Sequence, residues 1–307
     1  KGIRGRDRAR CRDHVGLDPL RPDHHARAEQ FRALHRGPGL LTLGSVWDAG
    51  SAVVFEREGF KALGTSSAGV AYAQGLPDGE VLSLDRMIDA VGSIARAVGI
   101  PVSADLESGF GDTPEAIAQA CLRAVEAGAV GVNLEDARPG NATALADLSW
   151  QCEVIRAVRR AADRAGRLLF INARTDGFWL NLWDAPTRLR ESQARCQAYV
   201  AAGADGVFVP GALEPDAIAQ LAHSVAAPLN ILAMPGCPAA STLEALGVRR
   251  LSQGSGPARA ALGLARRVAR ELLDDGRYTT FHQGAIGYAE ANRLFAARAA
   301  DATPPPR

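Results

Sequence analysis

Residues 101–111 read PVSADLESGFG: an apolar run that suits a buried strand, two acids at its end, and a Gly-Phe-Gly turn. Alternate residues of a strand share a face, so the pattern expects Asp105 and Glu107 on one side and Leu106 on the other. Two carboxylates in so small a space need a cation, a shared proton or hydrogen-bond donors, because like charges that close cannot both stay ionised cheaply. A strand end whose acids cap a helix or pair with Arg is the purely structural alternative. The stretch decides the fold because its grammar recurs along the chain: apolar strand, polar end, loop, helix.

Strands of this kind are expected at residues 40–45, 62–67, 101–107, 131–136, 168–176, 206–211, 228–233 and 248–254. Helical periodicity fills 26–35, 49–58, 84–98, 114–127, 149–165, 187–202, 215–224 and 241–246. The joints EAGAVGVNLED, AAGADGVFVPG, REGFKALGTSS and EALGVRRLSQG each place Gly at a helix end just before a strand, where a left-handed cap suits it. Eight strand–helix alternations with right-handed crossovers close into an α/β (β/α)8 TIM barrel. A doubly wound open sheet, the runner-up, calls for a Gly-rich phosphate turn after the first strand, and GSVWDAGSA has no GxGxxG. Helices at 258–274 and 286–299 exceed what a barrel needs and are expected to pack on a neighbouring subunit or on the same barrel. The domain reading is one barrel with C-terminal helices at 26–300, a disordered extension at 1–25 and a disordered tail at 301–307. The Arg-rich start carries several Asp and no apolar stretch, so it does not read as a secretory signal.

The totals narrow the function classes. With 35 basic and 34 acidic residues there is no global field to recruit nucleic acid or an anionic membrane, and a small-molecule partner becomes the default. No apolar run approaches the ~18 residues of a membrane span. Five widely spaced cysteines without a CxxC pair suggest neither a disulfide framework nor a zinc site, and a reducing cytoplasm is the expected home.

In a (β/α)8 barrel the chemistry sits at the C-terminal ends of the strands. There the sequence places Thr65 and Ser67, Asp105 and Glu107, Asn133 and Glu135, Asn172, Arg174 and Asp176, then Asn230 and Ser252. Each set has period two and can present one face to the mouth. A barrel built for packing alone would carry Val, Ile or Leu at many of these positions, since buried polar groups are costly without partners. Asp105, Glu107 and Glu135 offer oxygen only, which favours Mg2+, with Mn2+ as the alternative, over Zn2+. Mg2+ keeps several waters, so some of these acids can hold it through water. Ser67, Ala68 and Gly69 form a candidate anion seat, Trp47, Asn133 and Asn230 are candidate substrate contacts, and Asp78 in LPDG is a lid acid or a turn former.

SSAGVAYAQGLPDGE, SADLESGFGD, GVNLEDA and INARTDGF, in this order and at barrel-strand spacing, resemble the isocitrate lyase and phosphoenolpyruvate mutase superfamily. The likeness runs from about Phe31 to about Arg293 and is nearest to phosphonomutase-like and carboxyvinyl-carboxyphosphonate phosphorylmutase-like members. It implies that Ser67, Ala68 and Gly69 hold the substrate carboxylate and that Asp105, Glu107 and Glu135 surround Mg2+, with Asp105 in direct contact. It further implies that Arg174 contacts the substrate oxygens and that Asp78 is the mobile-loop acid; Glu107 stands where the mutases carry an Asp, which shifts its carboxylate by one methylene, and is a candidate catalytic residue as well as a metal ligand. It implies a homodimer or homotetramer exchanging C-terminal helices. The loop from Glu135 to Asn141 has no Cys and so lacks the K-[KR]-C-G motif of the lyases, which sets the chain apart from true isocitrate lyases; the Lys-Asn-Ser sequence of the mutases is not evident either.

The chemistry expected is Mg2+-dependent lyase action on a small 2-oxo or 2-hydroxy carboxylic acid through a pyruvate-like enolate, by C–C cleavage or decarboxylation. A C–P mutase or hydrolase acting on a phosphonopyruvate-like acid is the alternative. A non-catalytic dicarboxylate-binding barrel is the third reading.

Overall fold

The computed structural model describes residues 24–138 and 140–296. Eight parallel strands close a barrel: β1 Leu41–Val46, β2 Leu63–Thr65, β3 Val102–Asp105, β4 Gly131–Glu135, β7 Phe170–Arg174, β8 Gly206–Phe208, β9 Leu229–Leu232 and β10 Arg250–Ser252. Each pairs with its neighbours in sequence, and β10 closes on β1 through Arg250↔Leu41 and Ser252↔Leu43. The two intervening strands, β5 Ala137–Arg138 and β6 Asn141–Leu145, form a small antiparallel hairpin after β4. The expected (β/α)8 barrel is therefore the fold.

The helices are α1 His24–Arg36, α2 Ala49–Arg57, α3 Ser67–Ala73, α4 Leu84–Ala97, α5 Pro114–Glu126, α6 Leu148–Arg164, α7 Ala185–Ala202, α8 Pro215–Ser224, α9 Ala240–Ala245, α10 Gly256–Arg270 and α11 Tyr288–Ala296. Their ends obey local chemistry. Asp184 caps α7 by accepting from the Thr187 N–H at 2.9 Å, and Gly203 stops it at φ +112. The largest apolar cluster lies between β3, β4 and β7 and the helices α4 to α7, with Leu106, Val132, Leu134, Ile155 and Tyr199 at its centre. Close packing needs Gly44 on β1, where a Cβ would stand 2.6 Å from Phe55 Cδ1.

Helix α1 plugs the N-terminal end of the barrel. Phe31, fully buried, meets the Phe170 ring edge-on at 5.3 Å, and His35 stacks on Phe170 at 4.1 Å. Burial foremost holds the His35 imidazole at a pKa of about 3, so this ring is neutral. The helix begins at His24, whose Nε2 is 3.1 Å from the Ala129 carbonyl oxygen, so the last residues of the extension expected to be disordered are helical. Residues 1–23 and 297–307, and with them the rest of the expected extension and the tail, lie outside the described residues.

Two local expectations are corrected. The second strand ends at Thr65, and Ser67 opens α3, because the Ser66 hydroxyl accepts the Gly69 N–H at 3.2 Å and caps a helix there. The third strand ends at Asp105; Glu107 has φ +52 and Gly109 φ +109, so the backbone turns before the strand alternation reaches Glu107. The loop after β4 folds into the β5–β6 hairpin. Beyond α10 a π-turn at Glu271–Asp275, a 3-10 turn at Thr280–His282 and α11 follow, with α11 beside α2 of the same chain. Leu273 and Tyr288 in this segment are 85% and 87% exposed. No described helix is long and apolar enough to cross a membrane.

Candidate active site

Register brings the polar strand ends together. Asp105 pairs with Asn133 across β3 and β4, and Glu135 with Arg174 across β4 and β7, so the acids and the guanidinium rise at one end of the barrel. They surround a cavity of about 110 Å³ lined by Ser67, Asp78, Asp105, Asn133, Arg174, Arg250 and Ser252. It shares Ser67, Asp78, Arg174 and Trp179 with a wider mouth of about 360 Å³ that adds Glu107, Glu135 and Asp176.

Asp105 is held from two sides. Its backbone N–H donates to Thr65 Oγ1 at 2.8 Å, and its Oδ2 accepts the Ser67 N–H at 3.2 Å. Its Oδ1 is buried with no partner among the described residues. A buried carboxylate oxygen left without a donor is costly and marks a place for a cation or a ligand donor.

Glu135 and Arg174 form a different unit. Arg174 Nη1 reaches Glu135 Oε2 at 2.8 Å, and its Nε donates to Asp176 Oδ1 at 2.7 Å, while the Phe208 ring lies 5.6 Å from the guanidinium carbon. Burial lowers the Arg174 pKa, but Asp176, Glu135 and Asp105 overcome it and the net shift is upward, so its charge is permanent. Burial raises the Glu135 pKa well above the ordinary value, with Arg174 opposing. Asp176 is fully buried and is likewise raised, by burial first, with Arg174 again opposing.

Glu107 turns away from this unit. Its Oε2 accepts the N–H groups of Gly79 and Glu80 at 3.0 and 2.8 Å, tying the loop before α4 over the mouth. Glu80 returns the clamp: its Oε1 accepts from Ser108 N–H, Ser108 Oγ–H and Phe110 N–H at 3.0, 2.7 and 3.1 Å. Burial, then Asp78 and Asp105, push the Glu107 pKa to about 8. Asp78, expected as a lid acid, lines both cavities from the rim; burial of its carboxyl and the nearby Asp105 raise its pKa.

The three acids expected around one cation thus do not form a ready cage, and no such group occurs among the described residues. The donors nearest each acid decide this: lid amides for Glu107, Arg174 for Glu135. Of the three expected acids, Asp105 keeps the buried oxygen without a donor and fits Mg2+ as a direct ligand; Glu107, Glu135 and Asp78 line the adjoining mouth, from which an ion that keeps several waters can be held through water.

The substrate-contact expectations divide. Asn133 lines the cavity. Asn230 is fully buried in a side-chain chain in which Asn172 Nδ2 donates to both Asn133 Oδ1 and Asn230 Oδ1, and Asn230 Nδ2 donates to Ser252 Oγ at 3.1 Å. It positions its neighbours instead of touching the cavity. Trp47 packs on the main apolar cluster, its Cβ 3.0 Å from where a Gly69 Cβ would stand, and does not line the cavity. Ser67 and Ala68 line it, but the seat expected from the Ser67, Ala68 and Gly69 amides is mostly spent, since Ser67 N–H serves Asp105 and Gly69 N–H serves Ser66.

A supporting layer escaped sequence reading. Fully buried Asp136 accepts from Asp176 N–H at 2.9 Å, Tyr199 Oη–H at 2.6 Å and Arg195 Nη1–H at 3.1 Å, and so fixes the segment that carries Arg174 and Asp176. Arg195 and Tyr199, four apart on α7, gave no local signal of this task. Arg250 was also missed, although an Arg inside the short strand VRRLS, two residues before Ser252 and hence on its face, is a signal that strand periodicity can supply.

The comparisons agree with this geometry. The family model described as phosphoenolpyruvate phosphomutase matches residues 31–273, which contain every side chain of the site. An uncharacterized protein of Mycobacterium tuberculosis is 36% identical over 244 residues, or 80% of this chain and 89% of that one. The oxaloacetate decarboxylase of a Bradyrhizobium species is 31% identical over 245 residues, 77% of this chain and 81% of the relative. A solved structure from Burkholderia cenocepacia J2315, assigned no further than lyase/mutase, superposes with a TM-score of 0.83 at 40% identity, covering 89% of this chain and 96% of that one. With the family model spanning most of the barrel, this chain belongs to the phosphoenolpyruvate phosphomutase family.

Proposed function

We propose that the chain is an Mg2+-dependent lyase-type enzyme that cleaves a bond beside the carbonyl of a small 2-oxo or 2-hydroxy acid and releases a pyruvate-like enolate. The observation that carries this reading is the buried, unpartnered Asp105 Oδ1 facing the same cavity as the permanently charged Arg174. A divalent cation bound at Asp105 would supply positive charge to the oxygens of the acid. Arg174, fixed by Glu135 and Asp176, adds a preorganised cation where negative charge develops at the carbonyl oxygen, and it needs no reorganisation to do so. The lid segment held by Glu107 and Glu80 excludes water from the enolate, which would otherwise be quenched early. No His among the described residues lines the cavity, so a step that must remove a hydroxyl proton falls to a raised carboxylate, and decarboxylation, which needs no base, suits the site well.

The test is to supply Mg2+ with oxaloacetate and, separately, with branched 2-hydroxy diacids, and to follow pyruvate or a 2-oxo acid by coupled reduction. Turnover that disappears on chelation supports the reading; none from any of these acids removes it. Asp78 lines the inner cavity, which keeps C–P chemistry on a phosphonopyruvate-like acid as the second reading. Asp78→Ala that abolishes turnover of phosphonopyruvate with Mg2+ affinity intact would establish that reading, and a chain inert toward phosphonopyruvate dismisses it. The exposed apolar side chains Leu272, Leu273, Tyr278 and Tyr288 support association with a second copy through the C-terminal segment, which sedimentation of the chain with and without residues 277–307 measures.

A further inference from the structure

Arg250 has no task in the chemistry above. It opens β10 and is 1% exposed, among the largest of the fully buried side chains. Its Nη2 donates to Asn133 Oδ1 at 3.2 Å, and the Phe31 ring stands 5.9 Å from its guanidinium carbon. Its Nε and Nη1, which carry three of the five N–H donors of a guanidinium, have no acceptor among the described residues. Burial lowers its pKa to about 9, with Asp105 opposing, so it stays a cation at neutral pH. A buried cation without a paired carboxylate is expensive, and apolar residues of like size are often tolerated better. Packing alone does not account for it.

Several other groups around the cavity that could receive an anion are engaged. Arg174 serves Glu135 and Asp176, the Ser67 amide serves Asp105, and the Gly69 amide serves Ser66. Arg250 faces the same space of about 110 Å³ as Asp105 and Arg174. At roughly 30 Å³ per water that space holds about four waters, or an acid of three to four carbons.

We propose that Arg250 is the seat of a substrate carboxylate, its Nε–H and Nη1–H groups taking one carboxylate of a short-chain acid at the floor of the cavity while Asp105 and Arg174 face the remainder. Only the identity of the acid rests on the proposed function; anion binding at Arg250 does not need the metal. The carboxylate it holds is the one the product keeps, because leaving as neutral CO2 would require giving up the charge that the guanidinium stabilises. Any decarboxylation therefore acts on a carboxylate at the mouth.

The experiment is a thermal-unfolding titration with oxalate in excess EDTA, at ionic strength matched with sodium chloride, on the wild-type chain, Arg250→Met and Arg250→Lys. The expected result is a saturable oxalate-dependent rise in the wild type, an apparent affinity at least tenfold weaker in Arg250→Met, and partial recovery in Arg250→Lys. The ligand-free Arg250→Met chain is expected to melt no lower than the wild type, whereas a structural role for the Arg would lower it. Equal oxalate responses in the wild type and Arg250→Met overturn the proposal, as does a wild type that does not respond. Should Arg250→Met fail to fold, a wild-type crystal soaked in oxalate decides: oxalate on the Arg250 nitrogens supports the seat, and water alone or oxalate elsewhere refutes it. Because metal is absent throughout, these outcomes are independent of whether the Mg2+ reading stands.

Discussion

Replacing Glu107 by Gln should change how the stability of the fold depends on pH. Glu107 is 5% exposed, and burial, then Asp78 and Asp105, raise its pKa from 4.5 to about 8. In the unfolded chain the carboxyl ionises near its ordinary value, so between those two pH values the folded state holds a proton that the unfolded state has lost. The stability it contributes is fully present below the unfolded pKa and is lost as pH rises through the folded one. A shift of that size corresponds to at most ~5 kcal/mol at ~1.4 kcal/mol per unit, and since Asp78 and Asp105 share the repulsion, about 2–3 kcal/mol is the expected difference. The Gln amide keeps an oxygen for the Gly79 and Glu80 N–H groups but never ionises. In EDTA, urea unfolding of wild type and Glu107→Gln should therefore nearly agree at pH 4, draw apart progressively between about pH 5 and pH 8, and stay apart above it, the variant being more stable at pH 9 by that amount. Curves that run parallel from pH 5 to 9, or a variant less stable than wild type at pH 9, would refute the reasoning.

Tyr199→Phe removes the 2.6 Å hydrogen bond to fully buried Asp136 and should cost about 1–3 kcal/mol in urea unfolding at pH 7; no loss would mean that Arg195 alone satisfies the acid. Gly44→Ala puts a Cβ against Phe55 and Leu63 and should destabilise by about 1–3 kcal/mol by overpacking, read in the same assay. Arg174→Lys cannot keep both carboxylate partners in place and should lower turnover of whichever acid proves to be the substrate by roughly 10²-fold or more, whereas near-normal turnover would remove Arg174 from the reacting centre.

The barrel was legible because strand and helix periods alternate cleanly and because Gly marks several helix ends, as at Gly128 and Gly203, both with positive φ. The polar ends of β3, β4 and β7 were legible for the same reason: period two on a barrel strand predicts which residues share a face. Where each carboxylate then turns was not, because it depends on donors distant in sequence. Glu107 finds amides at residues 79 and 80, and Asp136 finds Arg195 and Tyr199 on a helix some sixty residues on. Ser67 was taken for a strand end because small residues suit either state, and only the Ser66 cap on Gly69 commits them to a helix. Arg250 was missed although its place two residues before Ser252 puts it on the inward face of β10.

The account centres on Asp105 as the group that brings a divalent cation to a 2-oxo acid. Thermal unfolding with Mg2+, oxalate and both together, on wild type and Asp105→Asn, tests this most directly, because oxalate imitates the planar enolate of pyruvate. The predicted result is a wild-type shift with both ligands that exceeds the sum of the separate shifts, worth about 2.7 kcal/mol with the joint ligand at ~100 times its dissociation constant, and its absence in Asp105→Asn. A wild type in which Mg2+ adds nothing to oxalate, or an Asp105→Asn variant with the full joint shift, would contradict it.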